Sequence, residues 1–175
     1  MMKNGFDILI TGAEIQKRIE ALAQQIEEEY RSRPLVVIGV LKGSFIFMAD
    51  LVRSLSIPLT CDFLRVASYD KNRSTGVIRM EFDMTQPIVG KDVLLVEDIV
   101  DTGNTLRYLL NHLEGQKPNS LKVCSLLFKD VGSGLREKID YLGFEIPDRY
   151  VFGYGLDSEG LYRSLPYVAA FKETA

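Results

Sequence analysis

The sequence predicts an α/β fold: a mainly parallel central sheet with helices on both faces. Three observations carry that prediction. Continuous apolar runs of strand length recur, at "LVVIGV", "VLLV" and "LKVCSLLFK", as strands covered on both faces should read. Amphipathic helical patterns alternate with them. Acids and small residues cluster where one run ends, and ligand loops in open α/β sheets lie beyond the carboxyl ends of the strands.

Taken in order, "FDILI" is a short apolar piece. Thr11 and Glu14 then fit a capping box. Ile15, Ile19, Leu22, Ile26 and Tyr30 recur at three- and four-residue spacing, so a helix runs from there toward Pro34. "LVVIGV" is the first buried strand, and "LKGS" interrupts the pattern before the helix "FIFMADLVRSL". "LTCDFLRVA" is the second strand. "SYDKNRSTG" is polar and without period, a loop; "VIRMEFDM" is a further strand and "QPIVGKD" a turn. "VLLV" is the third buried strand, followed by a helix from about Asn104 to Leu113. "LKVCSLLFK" is the fourth, and "YVFGYG" and "YVAAFKE" are short terminal strands. Strand, helix, strand, turn, strand, helix, strand implies a mainly parallel sheet joined through crossovers. No repeat or linker divides residues 1–175, which read as one domain.

Composition narrows the function. The net charge is -3, so no global basic field attracts nucleic acid or an anionic membrane. No apolar run reaches membrane-spanning length, and the N-terminus lacks a signal-peptide core. A cytoplasmic protein is expected. Cys61 and Cys124 sit in apolar runs and read as buried free thiols. The single histidine, His112, falls on a helix face expected to be exposed, and no Cys/His cluster suggests zinc.

The chemistry is concentrated in "VLLVEDIVDTGNTL". The turn formed by Thr102, Gly103, Asn104 and Thr105 offers backbone N–H groups and two hydroxyls to one anion, with the positive end of the next helix aimed at the same place. It is neither a Walker A loop nor a Gly-x-Gly-x-x-Gly fingerprint. Carboxylates beside such a cradle would repel a phosphate unless they have other work. Glu97 and Asp98 suit the hydroxyls of a ribose, or a Mg²⁺ ion. Asp101 is placed to exchange a proton with a group attached to that sugar. Taken singly, each acid is equally well read as a helix cap.

This stretch resembles the phosphoribosyl pyrophosphate-binding signature of the type I phosphoribosyltransferases. "VLKGSFIFMADL", "SYDKNRSTG", "SLLFKD", "GFEIPDRYVFGYGLD" and "YRSLPYV" follow in the order found in the hypoxanthine-guanine phosphoribosyltransferases. The resemblance implies a type I phosphoribosyltransferase fold with a small hood formed by terminal segments. It implies transfer of a phosphoribosyl group from phosphoribosyl pyrophosphate to hypoxanthine, and to guanine, with Mg²⁺ as cofactor.

Residue by residue, the resemblance assigns Glu97 and Asp98 to the ribose hydroxyls and Asp101 to general acid/base work at the purine N7. It places Thr102, Gly103, Asn104 and Thr105 around the 5′-phosphate. Asn104 stands where relatives commonly carry Lys or Arg. Leu41, Lys42 and Gly43 match the pyrophosphate loop, where the family carries a cis peptide before the lysine. Ser68 and Tyr69 match lid residues that reach the pyrophosphate, and a lid would exclude water during transfer. Arg163 matches a pyrophosphate-facing arginine. Lys129 matches the cation at the purine O6, which should reject adenine; by itself it reads as a solvated strand-end lysine. Tyr150 matches a residue stacked on the base and Val151 one whose backbone meets the base edge; without the match Tyr150 reads as strand core. Asp157 matches an acid at the Mg²⁺, which Glu97 and Asp98 also help to hold. A homodimer or homotetramer is implied by analogy.

Two alternatives stay open. A xanthine- or guanine-preferring phosphoribosyltransferase would carry the same Lys129. A nucleic-acid-binding regulator on the same fold would need a basic face, and the helix "AEIQKRIEALAQQIEEEY" is rich in acids.

Overall fold

The computed structural model describes residues 5–69, 77–132 and 134–172. Its elements are β1 (Phe6–Ile10), α1 (Gly12–Tyr30), β2 (Leu35–Leu41), α2 (Phe45–Arg53), β3 (Leu59–Tyr69), β4 (Val77–Phe82), β5 (Asp92–Val100), α3 (Asn104–Glu114), β6 (Ser120–Lys129), β7 (Tyr141–Ile146), β8 (Val151–Phe152) and β9 (Val168–Phe171). A six-stranded sheet has the order β4-β3-β2-β5-β6-β7, and a three-stranded sheet has the order β1-β9-β8. In the larger sheet only β4 runs antiparallel. The smaller sheet, built from both ends of the chain, is the hood.

The apolar runs become β2, β5 and β6 because both faces of the central sheet are covered. Val37, Leu94, Val96 and Cys124 meet Ile15, Ile19, Leu22, Ile26, Phe47 and Leu51 of α1 and α2. Val36, Ile38, Val93, Leu95 and Val123 point the other way, onto Leu106, Leu109 and Leu113 of α3. Alternate strand residues thus serve opposite layers. Helix α1 begins at the expected box: the Glu14 carboxylate accepts the Thr11 N–H at 2.8 Å, and Thr11 Oγ1 accepts the Glu14 N–H at 3.3 Å.

Three expectations are corrected. Cys61 is free but exposed, whereas Cys124 is buried. Strand β4 pairs only with Arg65–Tyr69 of β3, so the half of β3 holding Cys61 is an open sheet edge. His112 is partly buried: its Nε2 lies 2.9 Å from Asp83 Oδ2, and its ring stacks on Tyr108. The segment after β4 folds back over α3 and covers that face. The stretch "GFEIPD" supplies most of an unforeseen sixth strand, β7, and "FDILI" is a full hood strand.

At the amino ends of the strands Asp92 is nearly inaccessible to solvent. Ser120 Oγ donates to its carboxylate at 2.6 Å and Asn119 Nδ2 at 2.7 Å, with the Arg33 guanidinium 3.3 Å away. The Ser120 bond, then Asn119 and Arg33, outweigh burial and hold its carboxyl below the ordinary range. A depressed folded value contributes stability that is present above about pH 4 and is lost as pH falls through the folded value. Asp92→Asn should cost about 1–2 kcal/mol at pH 7 and flatten the acid limb of a stability-against-pH curve, measured by urea unfolding. An unchanged acid limb would show that Asp92 does not carry it.

Candidate active site

The chain steps outward from β2 to β3 and β4, then returns to the other side of β2 to form β5. The strand order therefore reverses between β2 and β5, and the crevice beyond their carboxyl ends is where such sheets bind ligands. A cavity of about 460 Å³ opens there, lined by Leu41 at the end of β2, Lys42 and Gly43 just after it, and Glu97 to Gly103 and Thr105 from β5 onward. Asp157 and Arg163 close it from the hood side. The Leu41–Lys42 peptide is cis, as the resemblance implies.

Two glycines bring these loops together. A Cβ on Gly43 would lie 1.5 Å from Asp98 Oδ2, so a side chain there would displace the Asp98 carboxylate from its place against the β2 loop. Gly103 has φ +78° and a Cβ there would meet Leu135 at 1.9 Å. It directly precedes α3 and gives that helix no side-chain cap. The positive end of α3 is thereby presented to the cavity through Thr102, Gly103 and Thr105. Asn104 is exposed and not on the cavity wall. Arg107, one turn along, was not singled out from sequence. It donates to Thr102 O at 3.3 Å and lies 3.4 Å from Asn104 Oδ1, which places a guanidinium beside the loop. The missing signal was the i+3 spacing of Arg107 from Asn104 on a helix.

The acids differ sharply. Glu97 is 4% exposed, and burial followed by the neighbouring Asp98 charge pushes its carboxyl well above the ordinary range. Burial also raises Asp98, although the hydrogen bond from Glu97 opposes this and Arg163 helps slightly. Burial thus disfavours the charged form of both carboxyls, most strongly that of Glu97. Among the described residues no three His, Cys, Asp or Glu side chains converge into a preformed cation cage. Asp157 instead accepts from Arg163 Nη2 at 2.5 Å and from the Gly160 N–H at 2.7 Å. Arg163 is also anchored through Nη1 to Gly155 O at 2.6 Å.

Asp101 meets a residue from the next strand. Val100 pairs with Phe128 in the parallel register of β5 and β6, so Asp101 and Lys129 emerge side by side. Lys129 Nζ lies 3.1 Å from Asp101 Oδ2 and 3.5 Å from Asp148 Oδ1. The Lys129 side chain is only 9% exposed, which overturns the reading of a solvated strand-end lysine. Tyr150 is 61% exposed, not strand core; its hydroxyl donates to Asp157 O at 3.0 Å. Val151 is buried in the hood sheet opposite Ala170. Lys129, Tyr150 and Val151 do not line the cavity itself. The Ser68 and Tyr69 side chains and residues 70–76, the expected lid, lie outside the described residues.

A reversal crevice holding a helix amino end, buried acids and a cationic rim is suited to a phosphorylated sugar. Comparison with known proteins agrees: the Phosphoribosyl transferase domain matches residues 7–159. The chain belongs to the phosphoribosyltransferase family. It is 44% identical to the hypoxanthine-guanine phosphoribosyltransferase of Dictyostelium discoideum, over 95% of this chain and 96% of that one. It is 42% identical to the hypoxanthine-guanine-xanthine phosphoribosyltransferase of Tritrichomonas foetus, over 99% and 96% of the two chains. The solved hypoxanthine phosphoribosyltransferase of Trypanosoma cruzi, in complex with the product IMP, superposes with a TM-score of 0.88 at 40% identity, covering 98% of this chain and 96% of that one.

The raised Glu97 value has a stability consequence. A carboxyl raised by burial costs nothing below its unfolded value and destabilises increasingly as pH climbs toward the folded one. In metal-free buffer, Glu97→Gln should therefore raise Tm by about 3 °C at pH 8 and by less at pH 5. Equal shifts at both pH values in a thermal melt would rule out the buried charge as the cause.

Proposed function

We propose that the protein is a hypoxanthine phosphoribosyltransferase of purine salvage. It transfers the phosphoribosyl group of phosphoribosyl pyrophosphate to N9 of hypoxanthine, and of guanine, giving the nucleoside monophosphate and pyrophosphate. The observation that carries this reading is the Lys129–Asp101 contact. It joins a buried cation suited to a purine oxo group to the loop suited to a phosphorylated sugar.

In this reading the turn at Thr102, Gly103, Asn104 and Thr105 holds the 5′-phosphate, using the amino end of α3. Glu97 and Asp98 take the ribose hydroxyls. That remote binding aligns the anomeric carbon between base and leaving group. The bond from that carbon to the pyrophosphate oxygen breaks as the bond to N9 forms. Asp101 manages the proton of the purine ring at N7. Lys42, Gly43 and Arg163 receive the pyrophosphate, with Ser68 and Tyr69 as lid residues above it. Lys129 meets O6, Tyr150 stacks on the ring and the Val151 backbone meets its edge.

Mg²⁺ fits the donor set. Glu97 and Asp98 set two buried carboxyls side by side where negative charge is disfavoured, and Mg²⁺ is commonly held by one or two carboxylates plus substrate oxygens. Glu97, Asp98 and Asp157 would hold it, directly or through water. When bound it supplies positive charge against the leaving pyrophosphate. The same reading includes a cytoplasmic setting and a dimer or tetramer, for which the exposed Phe45 at the start of α2 supplies apolar surface.

The test is a spectrophotometric assay with hypoxanthine, phosphoribosyl pyrophosphate and Mg²⁺. Formation of inosine monophosphate is expected, and folded protein that forms none would defeat the assignment. A second reading, acceptance of xanthine, is favoured by the similarity to the Tritrichomonas foetus protein. Competing hypoxanthine, guanine and xanthine in one reaction decides it.

Asp101→Asn removes the proton acceptor but keeps the shape. It should lower kcat by about 10²-fold or more while the KM for phosphoribosyl pyrophosphate stays within about threefold. Parallel losses in both would make Asp101 a binding residue.

A further inference from the structure

Lys129 has more counter-charge than purine recognition requires. Its stem is buried, and its ammonium lies between two carboxylates on different elements: Asp101 after β5 and Asp148 after β7. Asp148 lies outside the cavity wall, and the roles proposed above leave it without work. Its side chain is 73% exposed, so most of its hydration is kept.

The position of Asp148 is fixed from both sides. Pro147 precedes it, and the Arg149 N–H closes a tight turn onto Pro147 O at 2.8 Å. The Arg149 guanidinium is tied to the hood, donating to Phe171 O at 2.8 Å and lying 3.4 Å from Asp7 Oδ2. The carboxylate is therefore carried by backbone pinned to β9 and β1.

We propose that Asp148 is a positioning residue for purine recognition, holding the Lys129 ammonium at the base site while Asp101 serves the purine proton. Asp101 has two claims on it in the proposed reaction. Once it takes up a proton it no longer offers Lys129 a negative charge. A nearly buried ammonium without a counter-charge is costly, and its flexible stem lets it leave the oxo group. Asp148 supplies a second counter-charge that does not change during the reaction. The ammonium has three donors, so Asp148, Asp101 and the oxo group are each served. The carboxylate acts through Lys129 and need not touch the purine.

The inference rests on the proposed function, and the experiment separates the two. The full chain and its Asp148→Asn and Asp148→Glu variants are assayed with hypoxanthine and phosphoribosyl pyrophosphate, each varied against saturating partner and Mg²⁺. Asp148→Asn should raise the hypoxanthine KM about fivefold, as loss of a charge pair with one exposed member allows. The KM for phosphoribosyl pyrophosphate should stay unchanged, and Asp148→Glu should restore the hypoxanthine KM to within about twofold. An unchanged hypoxanthine KM in Asp148→Asn, an equal rise in both KM values, or no recovery in Asp148→Glu would overturn the inference while leaving the function intact. An inactive unsubstituted chain would overturn the function and the inference together.

Discussion

The site depends on the close approach of Gly43 to the Asp98 carboxylate. Strands β2 and β5 are neighbours in the sheet but lie on opposite sides of the reversal in strand order. Their loops diverge from that point, and near the crevice floor the β2 loop meets the Asp98 side chain. A side chain at Gly43 would occupy the space of the Asp98 oxygen. The absence of one Cβ thus lets the Asp98 carboxylate stand directly against the β2 loop. Catalysis by positioning is sensitive at this scale, since a displacement of about 1 Å can cost about 10²-fold in rate.

The same approach explains the acid chemistry. Burial raises the carboxyls of both Glu97 and Asp98, and the neighbouring Asp98 charge raises Glu97 further. Their arrangement is unfavourable in isolation and suits a partner that donates hydrogen bonds or brings positive charge. Lys129 presents the converse case. Its burial is balanced by Asp101 and Asp148, and the group it is proposed to meet, a purine oxygen, is neutral. The β5 end of the crevice thus gathers buried carboxyls, whereas Lys129 at the end of β6 is a compensated cation.

Much of this was legible in the sequence. The runs around Val37, Leu94 and Val123 announced buried parallel strands, and Thr11 with Glu14 announced the first helix. The Gly/Thr turn after three acids announced a loop that lines the cavity. What the sequence concealed required knowing which strands are neighbours. Asp101 and Lys129 are 28 positions apart and meet only through the parallel register of β5 and β6. Strand β7 was missed because Gly143 and Glu145 interrupt its apolar pattern and no helix precedes it, only a 3-10 turn at Arg136–Lys138. Cys61 was placed in the core because an apolar run does not reveal where its strand loses its neighbour.

Helix α3 carries the argument one step further. A side-chain cap at its start would stabilise the helix by about 1 kcal/mol, yet Gly103 stands there and supplies none. The loop is held instead from behind, by Leu135 packed where a Gly103 side chain would be. Leu135 is itself buried in the cluster that anchors Leu106 and Leu109. Stability that a cap would have given locally is thus supplied by the core on the far side of the loop, and the helix end keeps its positive pole toward the cavity. A serine or aspartate cap would turn that pole inward onto its own side chain and compete with an incoming phosphate for the same amides.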